Sequence, residues 1–304
     1  MVNCDVCSTF PLYELLASHL EHGGLGTMLA KKTSEGNLDA TEFGNAICDP
    51  ETCELLHYTE KPETRVGNLI NAGVYAFSSH IFYHIQRVID SKKAFQYSQT
   101  CTNTSRDSSL GSDYVRLDND IFVPMAGKSC LAADQLYVYT SSGFWNQIKH
   151  PGIALKCSEL YLNQYRDTDP SMLADSNMQT VDAPRITGSV HIHTSAIVHK
   201  DATIGPNVSI GPGVYVGPGT RLRDCIVLDD VQIKDHAYVC RAILGWRSKI
   251  GKWSRVEGAG SYAERLGVAI LGEAVVVEDE VIVVNCIVLP NKIIGSTSRN
   301  DIIL

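Results

Sequence analysis

The chain has 304 residues, enough for about two domains, with 44% hydrophobic and 20% charged residues. Its net charge of −8 argues against a general nucleic-acid binder, which usually presents a basic face. No run approaches the ~18 apolar residues of a membrane span, and the start Met-Val-Asn-Cys-Asp lacks the basic-then-apolar order of a signal peptide, so no membrane partner and a cytoplasmic location are expected.

Ten cysteines in such a chain read as reduced thiols rather than a disulfide framework. Cys4 and Cys7 form a lone C-x-x-C without a second pair, so buried thiols beside a strand fit better than a zinc site.

In chain order, residues 2–7 predict a short strand, and Ser8 or Thr9 could cap a helix that has Pro11 in its first turn. Leu12, Leu15, Leu16 and Leu20 share one face of that helix, and Gly23-Gly24 stops it. Residues 26–31 predict a second strand. A strand-helix-strand order implies a parallel α/β layer, with ligands at the carboxyl ends of strands, where Asp5 sits. Residues 43–47 and 55–58 predict a hairpin across Asp49-Pro50-Glu51. Asn71-Ala72-Gly73 reads as a turn before a strand at 74–77. Ile81, Phe82, Ile85, Val88 and Ile89 mark a second helix. The Ser/Thr/Asn-rich stretch 98–112 predicts a mobile loop, residues 136–139 a strand, and 151–165 a helix bridging to the second half. The polar stretch 166–185, with Pro170 and Pro184, predicts a linker.

From Ile186 the pattern changes. Steps of six land on Ile192, Val198, Ile204, Ile210, Val216, Leu222 and Leu228. Four residues after each comes a second series, Val190, Ala196, Ala202, Val208, Val214, Thr220, Ile226 and Gln232, small or β-branched but for the last. Neither helix nor simple strand has this period; it is the hexapeptide signature of a parallel β-helix with the aliphatic residue pointing inward. A second register runs through Leu271, Val277, Val283 and Leu289. Trp246, Arg247, Lys249, Lys252, Trp253 and Arg255 form a basic-aromatic patch that interrupts the register and runs into the loop 257–266. This patch reads equally as a packed corner or as a subunit contact.

Asn3-Cys4-Asp5-Val6, Glu60-Lys61-Pro62, Asn71-Ala72-Gly73-Val74-Tyr75 and Gly143-Phe144-Trp145 occur in the order used by sugar-phosphate nucleotidyltransferases. With the hexapeptide run they resemble the mannose-1-phosphate guanylyltransferases. Residues 144–149, 245–246, 253–256 and 301–304 look like the alpha-type subunit, often assigned a regulatory role. The resemblance implies α/β followed by β: a partial nucleotidyltransferase (Rossmann-like) domain at 1–165, a linker at 166–185 and a left-handed parallel β-helix of hexapeptide repeats at 186–304. The family reaction joins GTP and mannose 1-phosphate to give GDP-mannose and diphosphate. It implies Mg²⁺ held by strand-end carboxylates to align the in-line displacement. By resemblance Asp5 is a metal ligand, Lys61 contacts the sugar phosphate, Glu60 and Asn71 bind sugar hydroxyls, and Gly73 lets the backbone approach. On spacing alone Asp5 reads as a turn carboxylate and Lys61 as a solvated lysine.

Two departures from the pattern stand out. The Gly-rich loop that cradles the triphosphate is not seen, so the nucleotide-binding part is expected to be missing. Gln147 stands where active relatives have an acidic metal ligand, and an amide is a poorer Mg²⁺ ligand. The resemblance therefore implies a regulatory or scaffolding alpha-type subunit, inactive alone, in GDP-mannose biosynthesis. Its partners would be a catalytic beta-type subunit and a GDP-mannose or sugar-phosphate ligand. It would assemble through the β-helix, with Trp246, Arg247, Trp253 and Arg255 at a contact. The alternatives are an active nucleotidyltransferase with an incomplete start, a hexapeptide acyltransferase using a histidine such as His191, His193, His199 or His236 as base, and an assembly subunit like those of the translation-initiation exchange factor.

Overall fold

The computed structural model describes residues 1–33, 40–100, 114–127, 134–174, 183–260 and 267–304. The chain divides into two compact units, Met1–Asn146 and Gln147–Leu304.

The first unit is built on a five-stranded mixed sheet. Its elements are β1 (Val6–Ser8), α1 (Leu12–His22), β2 (Gly26–Lys32), β3 (Asn45–Cys48), β4 (Leu55–Thr59), β5 (Leu69–Phe77), α2 (Ile81–Thr100), β6 (Leu136–Ser141) and β7, which begins at Trp145 (Trp145–Gln147). The sheet order is β4-β3-β5-β2-β6, with β2 parallel to β6 and antiparallel to β5. The expected parallel pairing of the first two strands is not formed. β1 has three residues and pairs with β7, while the parallel partner of β2 comes from much later in the chain.

Alternation along β2 sends Met28 and Ala30 to one face and Leu29 to the other, as a central strand covered on both sides requires. On one face they meet Tyr58, Tyr75, Phe122 and Ile81 of α2. On the other, Leu29 meets Leu15 of α1, Ile70 and Trp145. The predicted leucine face of α1 splits. Leu15 and His19, four apart, point at the sheet, whereas Leu12, Leu16 and Leu20 form a neighbouring stripe that is 51%, 51% and 72% exposed. Neither Ser8 nor Thr9 caps α1. Pro11 takes the cap position, and the Ser8 hydroxyl accepts the Phe10 N–H instead. Gly23 ends the helix in the left-handed conformation at φ 64 and donates its N–H to the His19 carbonyl.

The hairpin forms where expected, and the Asp49 carboxylate accepts the N–H groups of Glu51 and Thr52 in its turn. Asn71-Ala72-Gly73 is not a turn: it lies inside β5, at a bulge where Leu29 stands opposite an enlarged stretch of that strand. The helix α2 runs to Thr100, so the predicted loop begins later than 98, and residues 101–112 of it lie outside the described residues.

In the second unit, α3 (Pro151–Thr168) reaches three residues past its predicted end at Tyr165. Of the predicted linker, 166–174 and 183–185 are described, including a short 3-10 turn at Pro170–Met172. From Arg185 onward, short parallel strands stack in three columns. One begins at Arg185–Ile186, one at Val190–Ile192 and one at Ile197–Val198. Ile204, Ile210, Val216 and Leu222 point inward and are fully buried, as the hexads predict.

The period then slips. Ile204 pairs with Leu222, eighteen residues on, but Leu222 pairs with Val239, seventeen on. One residue is lost at the corner occupied by Asp224, which takes φ 46. Val227 therefore points inward instead of Leu228, Cys225 replaces Ile226, and Val231 is buried beside the exposed Gln232. The same shift exposes Leu289 and buries Val288. Residues 246–253 do not interrupt the stack. The irregularity falls between 258 and 268, where paired positions such as Leu244 and Leu271 are twenty-seven apart; residues 261–266 lie outside the described residues.

Candidate functional site

The sequence motifs of the first unit converge on a polar network across β3, β4 and β5. Tyr58, buried in β4, has room for its hydroxyl because Gly44 stands just before β3: a Cβ at Gly44 would fall 2.1 Å from that hydroxyl. The Tyr58 hydroxyl donates to Glu60 Oε2 at 2.9 Å and accepts from Asn71 Nδ2 at 3.0 Å. Asn71 Oδ1 in turn accepts the Gly73 N–H at 2.9 Å. The Tyr75 hydroxyl joins through the side chains of Asn71 and Asn3. Burial pushes Tyr58 far above the usual phenol range and Tyr75 up to about 12, so both remain protonated donors at neutral pH.

The sequence singled out Glu60, Asn71 and Gly73, and the structure brings the three together. Tyr58, Tyr75, Asn3 and Gly44 were not identified from sequence as parts of the network. Tyr75 closes the Asn-Ala-Gly-Val-Tyr run, but nothing local marks Tyr58 or Gly44, since their meeting depends on pairing of β3 with β4. Gly73 takes φ 73, and a Cβ there would press on Asn3 and Val6. Its immediate neighbour is thus the chain's own first segment, which runs antiparallel to β5 through Asn3 N–H to the Gly73 carbonyl. Trp145 locks onto the same bulge: Nε1–H donates to the Ala72 carbonyl at 2.9 Å, and its ring meets Phe43 edge-on. Lys61 is exposed, at φ 44, in the turn before buried Pro62.

Asp5 is half-buried in the turn between the first extended segment and β1, and Gln147 ends β7. As a donor set for Mg²⁺ these supply one carboxylate and one neutral amide. A hard cation that dehydrates reluctantly is poorly matched by an amide, so Gln147 does not fit the role of a Mg²⁺ ligand.

On the β-helix the basic-aromatic patch divides between two corners. Trp246 and Arg247 stand at one and Trp253 at the other, with the strand Lys249–Ile250 between them, and Arg255 opens the strand Arg255–Glu257 that follows. Arg247 pairs with Glu273, Arg255 with Glu257 at 2.7 Å and Lys252 with Asp235 at 2.9 Å, so much of the positive charge is neutralised within the stack. Trp253 is 62% exposed and stacks on His236 at 4.2 Å between centroids. Arg221 and Arg255 flank the Tyr238 ring from both sides at 5.2 and 5.1 Å. These residues with Gly219 and Ser254 line an open hollow of about 570 Å³. Of the other histidines, His191 is half-buried with its pKa lowered by burial and then by His193, and His193 contacts the Ser195 hydroxyl.

A mixed α/β sheet followed in sequence by a parallel β-helix fits the nucleotidyltransferase class that the motifs resemble. A nucleotidyl transferase family profile matches residues 1–145, and a GMPPB C-terminal domain profile matches residues 186–303. The mannose-1-phosphate guanylyltransferase regulatory subunit alpha of Dictyostelium discoideum is 43% identical over all of this chain and 72% of its own length. The Xenopus tropicalis protein of the same name is 42% identical, and the regulatory subunit alpha-B of Danio rerio 41%; both alignments span this whole chain and 74% of the relative. The chain belongs to the regulatory alpha subunits of mannose-1-phosphate guanylyltransferase. No helix among the described residues is long and apolar enough to cross a membrane.

Proposed function

We propose that this subunit senses a mannose-bearing ligand, GDP-mannose or mannose 1-phosphate, through its first unit, and passes that state to a catalytic beta-type partner without turning the ligand over. The observation that carries the reading is the Tyr58–Glu60–Asn71 network. A carboxylate, an amide and two protonated phenols held over one strand supply both donors and acceptors, as sugar hydroxyls require. Lys61, next to Glu60, offers a point charge for the phosphate. The neutral Gln147 deprives the site of the second carboxylate that Mg²⁺-assisted displacement needs. Partner contact falls on the β-helix, with Trp253 at one corner, Arg255 on the strand after it, and Trp246 and Arg247 at the other corner as exposed anchors.

The test is calorimetry of both ligands against the chain, alone and with its beta-type partner, repeated with Asn71→Ala and Glu60→Gln. Binding weakened at least tenfold by either substitution is expected, with no diphosphate release from GTP and mannose 1-phosphate by the isolated chain. Unchanged binding in both variants would place the ligand elsewhere, and diphosphate release would overturn the non-catalytic assignment.

A further inference from the structure

Away from the sugar-type network, the start of α2 carries an arrangement that the regulatory function does not use. His80 stands one residue before the helix and His84 one turn later, so their rings share a side, with centroids 5.1 Å apart. Asp134, two residues before β6, meets both. Its Oδ1 lies 2.9 Å from His84 Nε2 and 3.3 Å from His80 Nε2. The three candidate ligand atoms all lie within 4.8 Å of one another, and among the described residues this is the one such group. The Tyr83 ring stacks on His80 at 5.3 Å and meets His84 edge-on, which restricts both imidazoles.

The geometry points to a binding site for a borderline divalent transition metal of the zinc class, held by His80 Nε2, His84 Nε2 and an Asp134 carboxylate oxygen. Two imidazoles and one carboxylate favour this class over Mg²⁺ or Ca²⁺, which prefer all-oxygen sets. Zinc bonds of about 2.0–2.2 Å place neighbouring ligand atoms roughly 3.3–3.5 Å apart in a tetrahedron. The His80–Asp134 separation already has that value, and the His84–Asp134 separation needs to open by about half an ångström. Side-chain exposures of 51%, 14% and 25% for His80, His84 and Asp134 leave one side open to solvent, so ion entry needs no unfolding and the fourth position is free for water. Coordination moves the Nε2 proton of a neutral imidazole to Nδ1, and a protonated one loses a proton to solvent. The bound ion ties the first turn of α2 to the chain segment entering β6.

The rival reading is a plain hydrogen-bonded triad, the carboxylate accepting from both imidazoles. Titration of the metal-stripped, reduced full chain with Co²⁺ as a coloured probe, followed by displacement with Zn²⁺, separates the two. We expect one Zn²⁺ per chain, visible d–d bands from bound Co²⁺ that fade as Zn²⁺ displaces it, and no thiolate charge-transfer band. Asp134→Asn, nearly isosteric, and His80→Ala, at a half-exposed position that leaves the core intact, should each weaken binding more than about tenfold. Stoichiometry and affinity unchanged in both variants, a thiolate band, or no Zn²⁺ uptake by the folded chain would each overturn the site.

Discussion

Two side chains show how burial rather than sequence neighbours decides behaviour. Tyr58 is the hub between Glu60 and Asn71, so Tyr58→Phe leaves a carboxylate and an amide N–H without their shared partner. That should cost about 1–2 kcal/mol of stability in urea titration and weaken ligand binding in parallel. A neutral outcome in both would mean that the network is not coupled. His19 is buried in α1 with Nδ1 3.0 Å from the Thr27 hydroxyl, and its pKa is lowered by burial and then by His22. The unfolded chain then takes up this proton first. The stability held above the unfolded value of about 6.5 is lost as pH falls through it toward the lower folded pKa. Denaturation midpoints should therefore drop between pH 7 and 5.5, and less so in His19→Asn; equal slopes would remove His19 as the cause. At this scale the sequence was legible where a motif is contiguous, as in Asn71-Ala72-Gly73, and mute where partners meet across strands, as with Tyr58 over Gly44.

Helix α1 shows what periodicity can and cannot say about an element. Four leucines at helical spacing predict the helix and its stop at Gly23. They do not say which stripe faces the sheet, because Leu12-Leu16-Leu20 and Leu15-His19 are adjacent alternatives. Leu15→Ala should cost about 2–5 kcal/mol, whereas Leu16→Ala should stay within about 0.5–1 kcal/mol. The reverse order in chemical denaturation would put the other stripe inward. The predicted strand 74–77 falls five residues short of the front of β5, three of them the predicted turn 71–73. A bulge at Gly73 breaks the alternation on which strand recognition depends, and the sequence alone cannot separate a bulge from a turn.

For the whole molecule, the β-helix was the most legible part, since one short rule repeats through it. Apart from the longer connection between 258 and 268, the rule failed where a coil lost a residue, and no local signal marks that loss, because Asp224 at φ 46 does what a glycine does elsewhere. The slip can be checked directly: Val227→Ala should cost about 2 kcal/mol and Leu228→Ala much less. Each coil touches chiefly the ones before and after it, with partners 15 to 27 residues apart. Such a stack behaves as a one-dimensional chain of coupled units. Its interior coils, around Leu222 to Leu244, can open only if a neighbour opens too. In the coil at 298–303, Ser298 takes a place held by aliphatic residues below it, and Ile302 is exposed, so this coil buries less apolar surface. Amide hydrogen exchange should thus be slowest around Leu222 to Leu244 and rise toward the thinly packed coil at 298–303, so that the well-filled coils keep time with global unfolding while the poorly filled one runs ahead of it.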